Sequence, residues 1–220
     1  MTLDALRAAL REALLATLSG GGADPSHGID HADRVWTHAR TIADGEGMEA
    51  GPVLLAAAYL HDLVTLPKDH PRRSEAATLS ATAAGPVMEA LGMSRVEIAA
   101  ARHAIEAHSF SGGIEPQTPE ARVLRDADRL EALGAVGIAR CFAVSGALGR
   151  RLFDPDDPFA CNRPLDDGAN TLDHFAVKLL KLPDTFLTET GRRLADARAA
   201  VMRRYLQELA GELGAPPPRW

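Results

Sequence analysis

Apolar and polar positions alternate with helical spacing along most of the chain. Leu3, Leu6, Leu10, Leu14 and Leu18 recur at three- and four-residue steps and form one stripe of a first helix, which the glycines at 20–22 end. Ser26 can cap a second helix carrying His27, His31, Val35 and Ile42, up to a break at 45–47. Pro52 suits the first turn of a third helix, whose apolar body VLLAAAYL runs directly into His61 and Asp62. Pro67 and Pro71 then bracket a basic loop, LPKDHPRR, and helical spacing resumes over 74–84. Ser94 and Glu97 form a capping-box pattern opening a helix to about His108, where SFSGG is a stop signal. Thr118 and Pro119 start the next helix, which carries VLRDADRLEALG and is followed by an Ala/Gly-rich segment to about Gly149. Residues 150–168 are dense in Pro and Asp and read as a loop, with the last helices near 171–181 and 188–213. Strand-like alternation and internal repeats are absent, and Ala and Leu dominate over β-branched residues, so the expected fold is all-α in a single domain.

Composition narrows the function classes. A chain of 220 residues with 46% hydrophobic content can bury a sizeable core. A net charge of −6 with both signs interspersed provides no basic field for a nucleic-acid backbone, so nucleic acid is not an expected partner. Cys141 and Cys161 are far apart and outside any CxxC pattern, which fits a reducing compartment. The N-terminus lacks the cationic start and apolar block of a signal peptide, and no segment approaches the roughly 20 apolar residues of a membrane span. A cytoplasmic protein without a membrane partner is expected, monomeric or homodimeric. Residues 1–25 are expected to form a helix and linker, 26–213 the main domain, and 214–220 a loose tail.

The pair His61-Asp62 stands where apolar packing is expected, and isolated polar groups there are costly. A divalent cation would satisfy both, since imidazole nitrogen and carboxylate oxygen are ligands for such ions. Further ligands must come from other helices. His31 shares its helix with the inward Val35 and Ile42, and His27 lies one turn earlier. In DADR, Asp126 and Asp128 are about 200° apart on a helix, so at most one of them completes the site.

In order along the chain, HGIDHADRV, LHDLVTLPKDHPRRSEA, IEAHSFSGG, DADRLEALGAVGIAR and TLDHFAVKLLKLPD resemble segments of the HD-domain superfamily of metal-dependent phosphohydrolases, in particular small bacterial nucleotide pyrophosphohydrolases. That resemblance implies an HD-domain helical bundle with His31, His61, Asp62 and Asp128 as ligands of one divalent ion. Mn²⁺ is favoured, with Mg²⁺, Co²⁺, Fe²⁺, Zn²⁺ and Ni²⁺ as alternatives. Asp126 is then expected behind the ligands or at the surface. Two imidazoles and two carboxylates leave positions open for a water and a phosphate oxygen, and the ion activates the water. The implied substrate is a phosphorylated small molecule, most simply a nucleoside triphosphate cut to monophosphate and pyrophosphate; the alternatives are a nucleoside monophosphatase, a non-catalytic helical module around a structural metal, and di-iron oxygen chemistry. Alarmone hydrolases of this superfamily carry a Glu-Asp motif after the HD pair, whereas LVTLP follows here.

Phosphate transfer also calls for cations. Lys68 and Arg72 in the loop after the HD pair are candidate phosphate contacts, with solvated loop charges as the alternative. Arg73 reads as a helix-start surface residue and Arg129 as a structural ion-pair partner. His108 is a candidate catalytic group beside His61 and Asp62, contacting phosphate or donating a proton; a histidine favoured by the helix dipole is the other reading. His103 lies about 140° from His108 on their helix and would join only a second metal. His174 and Lys178, one turn apart in HFAVK, resemble substrate contacts of the family branch. His38 and His70 read as solvent-facing, and Glu131 stands where an aspartate is usual. No aromatic cluster in the sequence marks a base-stacking site.

Overall fold

The computed structural model describes residues 1–18, 28–66 and 70–220. The expectations for Ser26, His27 and Lys68 therefore fall outside the described residues. The described residues form nine α-helices, α1 Leu3–Leu18, α2 Ile29–Gly45, α3 Pro52–Leu60, α4 Ala76–Ala90, α5 Arg95–His108, α6 Pro119–Leu130, α7 Gly134–Ala147, α8 Asp173–Val177 and α9 Glu189–Glu212. They contain no strand, only one isolated parallel bridge between Arg151 and Asn170. The fold is all-α, and the contacts divide it into two compact units, Met1–Asp128 and Arg129–Trp220.

In the first unit α3 is the core. It is apolar all round rather than striped, the signature of a helix with no solvent face, and Leu54, Leu55, Tyr59 and Leu60 are at most 1% exposed. Each such side chain contributes about 1.5–3 kcal/mol by leaving water. Helices α1, α2, α4 and α5 pack around it. Leu6, Leu10 and Leu14 supply the inward stripe of α1, while Leu3 is exposed. Pro52 occupies the first turn of α3, as expected. Ser94 accepts from the Glu97 amide and Glu97 reaches back to Ser94, closing the expected capping box of α5.

A polar strut ties α1 to α2 and α3. Arg7 donates to Tyr59 Oη at 2.8 Å and to Asp33 Oδ1 at 3.0 Å. Arg11 reaches Asp33 Oδ2 at 3.2 Å, and Tyr59 donates its hydroxyl proton to Asp33.

The second unit corrects one reading of the sequence. The stretch VLRDADRLEALG does not remain helical: α6 stops at Leu130, and the chain turns through 131–133 before α7. Gly134 has φ +72°, and a Cβ at Gly137 would lie 2.3 Å from the Ala132 carbonyl oxygen, so this junction requires glycine at both places. The Pro- and Asp-rich loop is tied down by charge. The fully buried Asp173 carboxylate receives two N–H groups of Arg163, at 2.6 and 2.8 Å, and the Asp166 amide at 2.7 Å. Phe142, Phe175 and Tyr205, from α7, α8 and α9, assemble with ring centroids 6.2–6.3 Å apart. The sequence does not show this aromatic group because its members lie far apart. In the 214–220 segment, Trp220 donates its indole N–H to the Phe159 carbonyl at 2.9 Å.

Candidate metal centre

Four expected ligands converge within the first unit. His31 sits in the first turn of α2, His61 and Asp62 follow the last residue of α3, and Asp128 lies in the last turn of α6. The His31 and His61 Nε2 atoms are 3.2 Å apart. Asp62 Oδ2 is 3.6 Å from His31 Nε2 and 3.3 Å from His61 Nε2; Asp128 Oδ1 is 3.4 and 3.8 Å from them. An ion about 2.1 Å from each donor would set neighbouring donors roughly 3.0 Å apart at right angles and about 3.5 Å apart in a tetrahedron. Three of the observed spacings, 3.2–3.4 Å, fall between those edges and two, 3.6 and 3.8 Å, lie slightly beyond the longer one, so small side-chain adjustments fit the donor set to a divalent cation.

Hydrogen bonds fix the ring facing the centre. His61 Nδ1–H donates to the Ala58 carbonyl at 3.0 Å, which leaves the Nε2 lone pair for the cluster. Burial pulls the His61 pKa down, but the carboxylates of Asp62 and Asp128 outweigh it and hold the group up at about 9. Burial pushes Asp128 up, yet the imidazoles of His61, His31 and His108 keep it below the usual carboxylate range. The centre thus favours a positive charge, whether proton or cation. Nearby, Ser80 Oγ accepts from the Val64 amide at 3.0 Å and donates to the Val64 carbonyl at 3.2 Å, and Arg73 donates to the Leu66 carbonyl, so both anchor the loop that leaves the HD pair. Arg73 is thereby a loop anchor rather than the plain surface residue expected.

His108 belongs to the same cluster. Its ring meets that of His61 edge-on with centroids 4.9 Å apart, and its Nε2 is 3.8 Å from Asp62 Oδ1. Nδ1–H donates to the Ile105 carbonyl at 2.6 Å. Burial, then the charge of His61, lowers the His108 pKa. Neutral His108 therefore presents a proton-accepting Nε2 toward Asp62. The sequence reading had it contacting phosphate or donating a proton, and this tautomer allows the second only after protonation. His103 lies apart, its Nε2 accepting from the Gln117 amide at 3.1 Å.

Asp126 is fully buried, not at the surface. Arg72 is exposed and paired with Glu75 at 2.8 Å. In the second unit, His174 Nδ1 contacts Asp167 at 2.8 Å and Lys178 is exposed just past α8. Arg129 donates to the carbonyl and hydroxyl of Thr185, both at 2.8 Å. Glu131 is buried with Arg140 at 3.7 Å, and His38 and His70 are half-buried. Both cysteines are free. Among the described residues no single helix is long and apolar enough to cross a membrane.

A His-Asp pair at the end of a buried helix, facing a histidine from one neighbouring helix and an aspartate from another, defines the HD class of metal-dependent phosphohydrolases, and this chain belongs to the HD-domain family. The HD domain family model matches residues 28–133. Over 200 residues the chain is 30% identical to the uncharacterized protein YpgQ of Bacillus subtilis, covering 86% of this chain and 87% of that protein. The crystal structure of Bacillus subtilis YpgQ in complex with ADP superposes with a TM-score of 0.74 at 29% identity, over 96% of this chain and 97% of the other. An HD-superfamily hydrolase from Bacillus thuringiensis gives a TM-score of 0.75 at 28% identity, over 98% and 100%. The protein is a metal-dependent phosphohydrolase.

Proposed function

We propose that His31, His61, Asp62 and Asp128 hold one divalent ion, Mn²⁺ in preference to others, and that the protein hydrolyses nucleoside or deoxynucleoside triphosphates to monophosphate and pyrophosphate. The observation that carries this reading is the asymmetry of the site. The two imidazoles are 2% and 1% exposed, whereas Asp62 and Asp128 keep 23% and 30%. A purely structural centre is closed on all sides; here the carboxylate side is open to solvent and substrate. ADP bound to the related YpgQ supports a nucleotide as the ligand class. The ion, when bound, supplies Lewis acidity, lowering the pKa of a water and polarising a phosphoryl oxygen. His108 Nε2, neutral and facing Asp62, would accept the proton of the attacking water. Lys68 and Arg72 contact substrate phosphate.

The deciding experiment incubates the purified protein with nucleoside tri-, di- and monophosphates and several divalent ions, scoring pyrophosphate and phosphate separately. Pyrophosphate from triphosphates is the expected product. Phosphate from monophosphates alone would replace this reading by a nucleotidase.

Ligation by His61 also fixes a pH dependence. Because its pKa is raised, the ring is protonated below about 9 and an incoming ion must displace that proton, while Asp128, held low, stays ionised. Mn²⁺ affinity should rise about tenfold per pH unit from pH 6 toward about 9 and then level off. Calorimetric titrations across that range check it; an affinity flat from 6 to 9 would remove His61 from the ligand set.

A further inference from the structure

Arg125 has the strongest unexplained side chain in the first unit. Its Nε is buried and has no hydrogen-bond partner. The ring of Phe110 has its centroid 5.7 Å from the guanidinium carbon, and the charge of Asp126 acts on the group. A buried N–H without an acceptor is costly, and carboxylate or phosphate oxygens are the partners the planar fork of a half-buried guanidinium suits best. Position adds the second half of the case. Arg125 precedes Asp128 by three residues on α6, about 60° around the helix and roughly 4.5 Å along it, hence on the same face. Phe110 follows His108 by two residues and is 75% exposed. The stacked pair thus joins two elements that each deliver a side chain to the centre.

We infer that Arg125 is the guanidinium that binds a phosphate of the substrate at this centre, held in place by Phe110. The inference rests on the proposed phosphohydrolase site but deepens it, since neither residue is among the phosphate contacts expected from the sequence. Substrate oxygens fill the hydrogen-bonding capacity that the folded protein leaves open on Arg125. Burial lowers the Arg125 pKa, consistent with a cation short of acceptors.

The probe is inorganic pyrophosphate, titrated into the Mn²⁺-loaded full-length protein, with Mn²⁺ affinity measured alongside. Arg125→Gln should weaken pyrophosphate binding about ten- to hundredfold, the range of a charge-assisted hydrogen bond, and leave Mn²⁺ affinity unchanged. Arg125→Lys, which keeps the charge and loses the fork, should fall between. Phe110→Ala removes an exposed ring and so leaves folding intact; about threefold or more weaker pyrophosphate binding is expected. Wild-type affinity in both Arg125→Gln and Phe110→Ala would overturn the inference, as would no pyrophosphate binding by the wild type. So would an Arg125→Gln variant that loses Mn²⁺ as well while Phe110→Ala binds normally, because Arg125 would then be structural. Nucleotide hydrolysis by the wild type is scored independently: hydrolysis with unaltered Arg125→Gln sinks this inference and spares the enzyme reading, whereas Arg125-dependent pyrophosphate binding without hydrolysis does the reverse.

Discussion

His61→Ala is expected to cost roughly a thousandfold in metal-dependent phosphate release while the protein stays helical. The ring is central to the donor set, with Nε2 at 3.2 Å from His31, 3.3 Å from Asp62 and 3.8 Å from Asp128. Truncating it removes one nitrogen donor and leaves the two carboxylates facing a void, so both ion affinity and ion position suffer. Loss of the several kcal/mol of charge stabilisation that a correctly placed ion supplies corresponds to about three orders of magnitude in rate. Asp62→Ala should behave alike. The measurement is turnover after metal depletion and readdition, with far-UV circular dichroism as the folding control; full activity in either variant would remove the HD pair from the chemistry.

The largest effect on stability is expected at Asp173, far from the ligands in sequence. Its carboxylate is wholly buried and takes three N–H groups, two from Arg163 and one from the Asp166 backbone. Deleting one partner of a buried ion pair costs about 3–5 kcal/mol; because Arg163 keeps the Asp157 and Pro164 carbonyls as acceptors, the lower end, about 3 kcal/mol, is expected here. Asp173→Ala should therefore lower Tm by roughly 10 °C for a chain of this size. Replacing both Arg163 and Asp173 by apolar residues of similar volume should be milder than the single change. Denaturant midpoints test the order, and a single variant as stable as the wild type would show that the pair holds nothing together. The exposed Arg72–Glu75 pair offers a contrast, since such pairs are worth little.

Much of the helical layout could be read before any coordinates, for local reasons. The leucine stripe of α1, Pro52 at the start of α3 and the Ser94–Glu97 box are decided by neighbours a few residues apart, and so are visible in sequence. The convergence of His31, His61, Asp62 and Asp128 was accessible only through resemblance, because spacing alone left Asp126 and Asp128 both open. What escaped was set by distant partners. The end of α6 at Leu130 depends on the tight Gly137–Ala132 approach; the order of the Asp-rich loop depends on the Arg163–Asp173 pair; the aromatic group of Phe142, Phe175 and Tyr205 draws on three helices. Arg125 leaves a weak trace, a basic residue one turn before an expected ligand, but the burial of its Nε is set by the folded chain. The proton-accepting tautomer of His108 follows from a bond to Ile105 that only the folded helix end creates.

The strut from Arg7 and Arg11 to Asp33 and Tyr59 bears on where the protein can be cut. Asp33 and Tyr59 stand two positions from His31 and His61, so the backbone segments that aim both imidazoles are braced from behind by the first helix. The family match begins at residue 28 and omits that brace. A fragment trimmed to the recognised boundaries would retain all four proposed donors while stripping the cations from Asp33, so the helix upstream of what family membership alone delimits belongs with the histidines it braces.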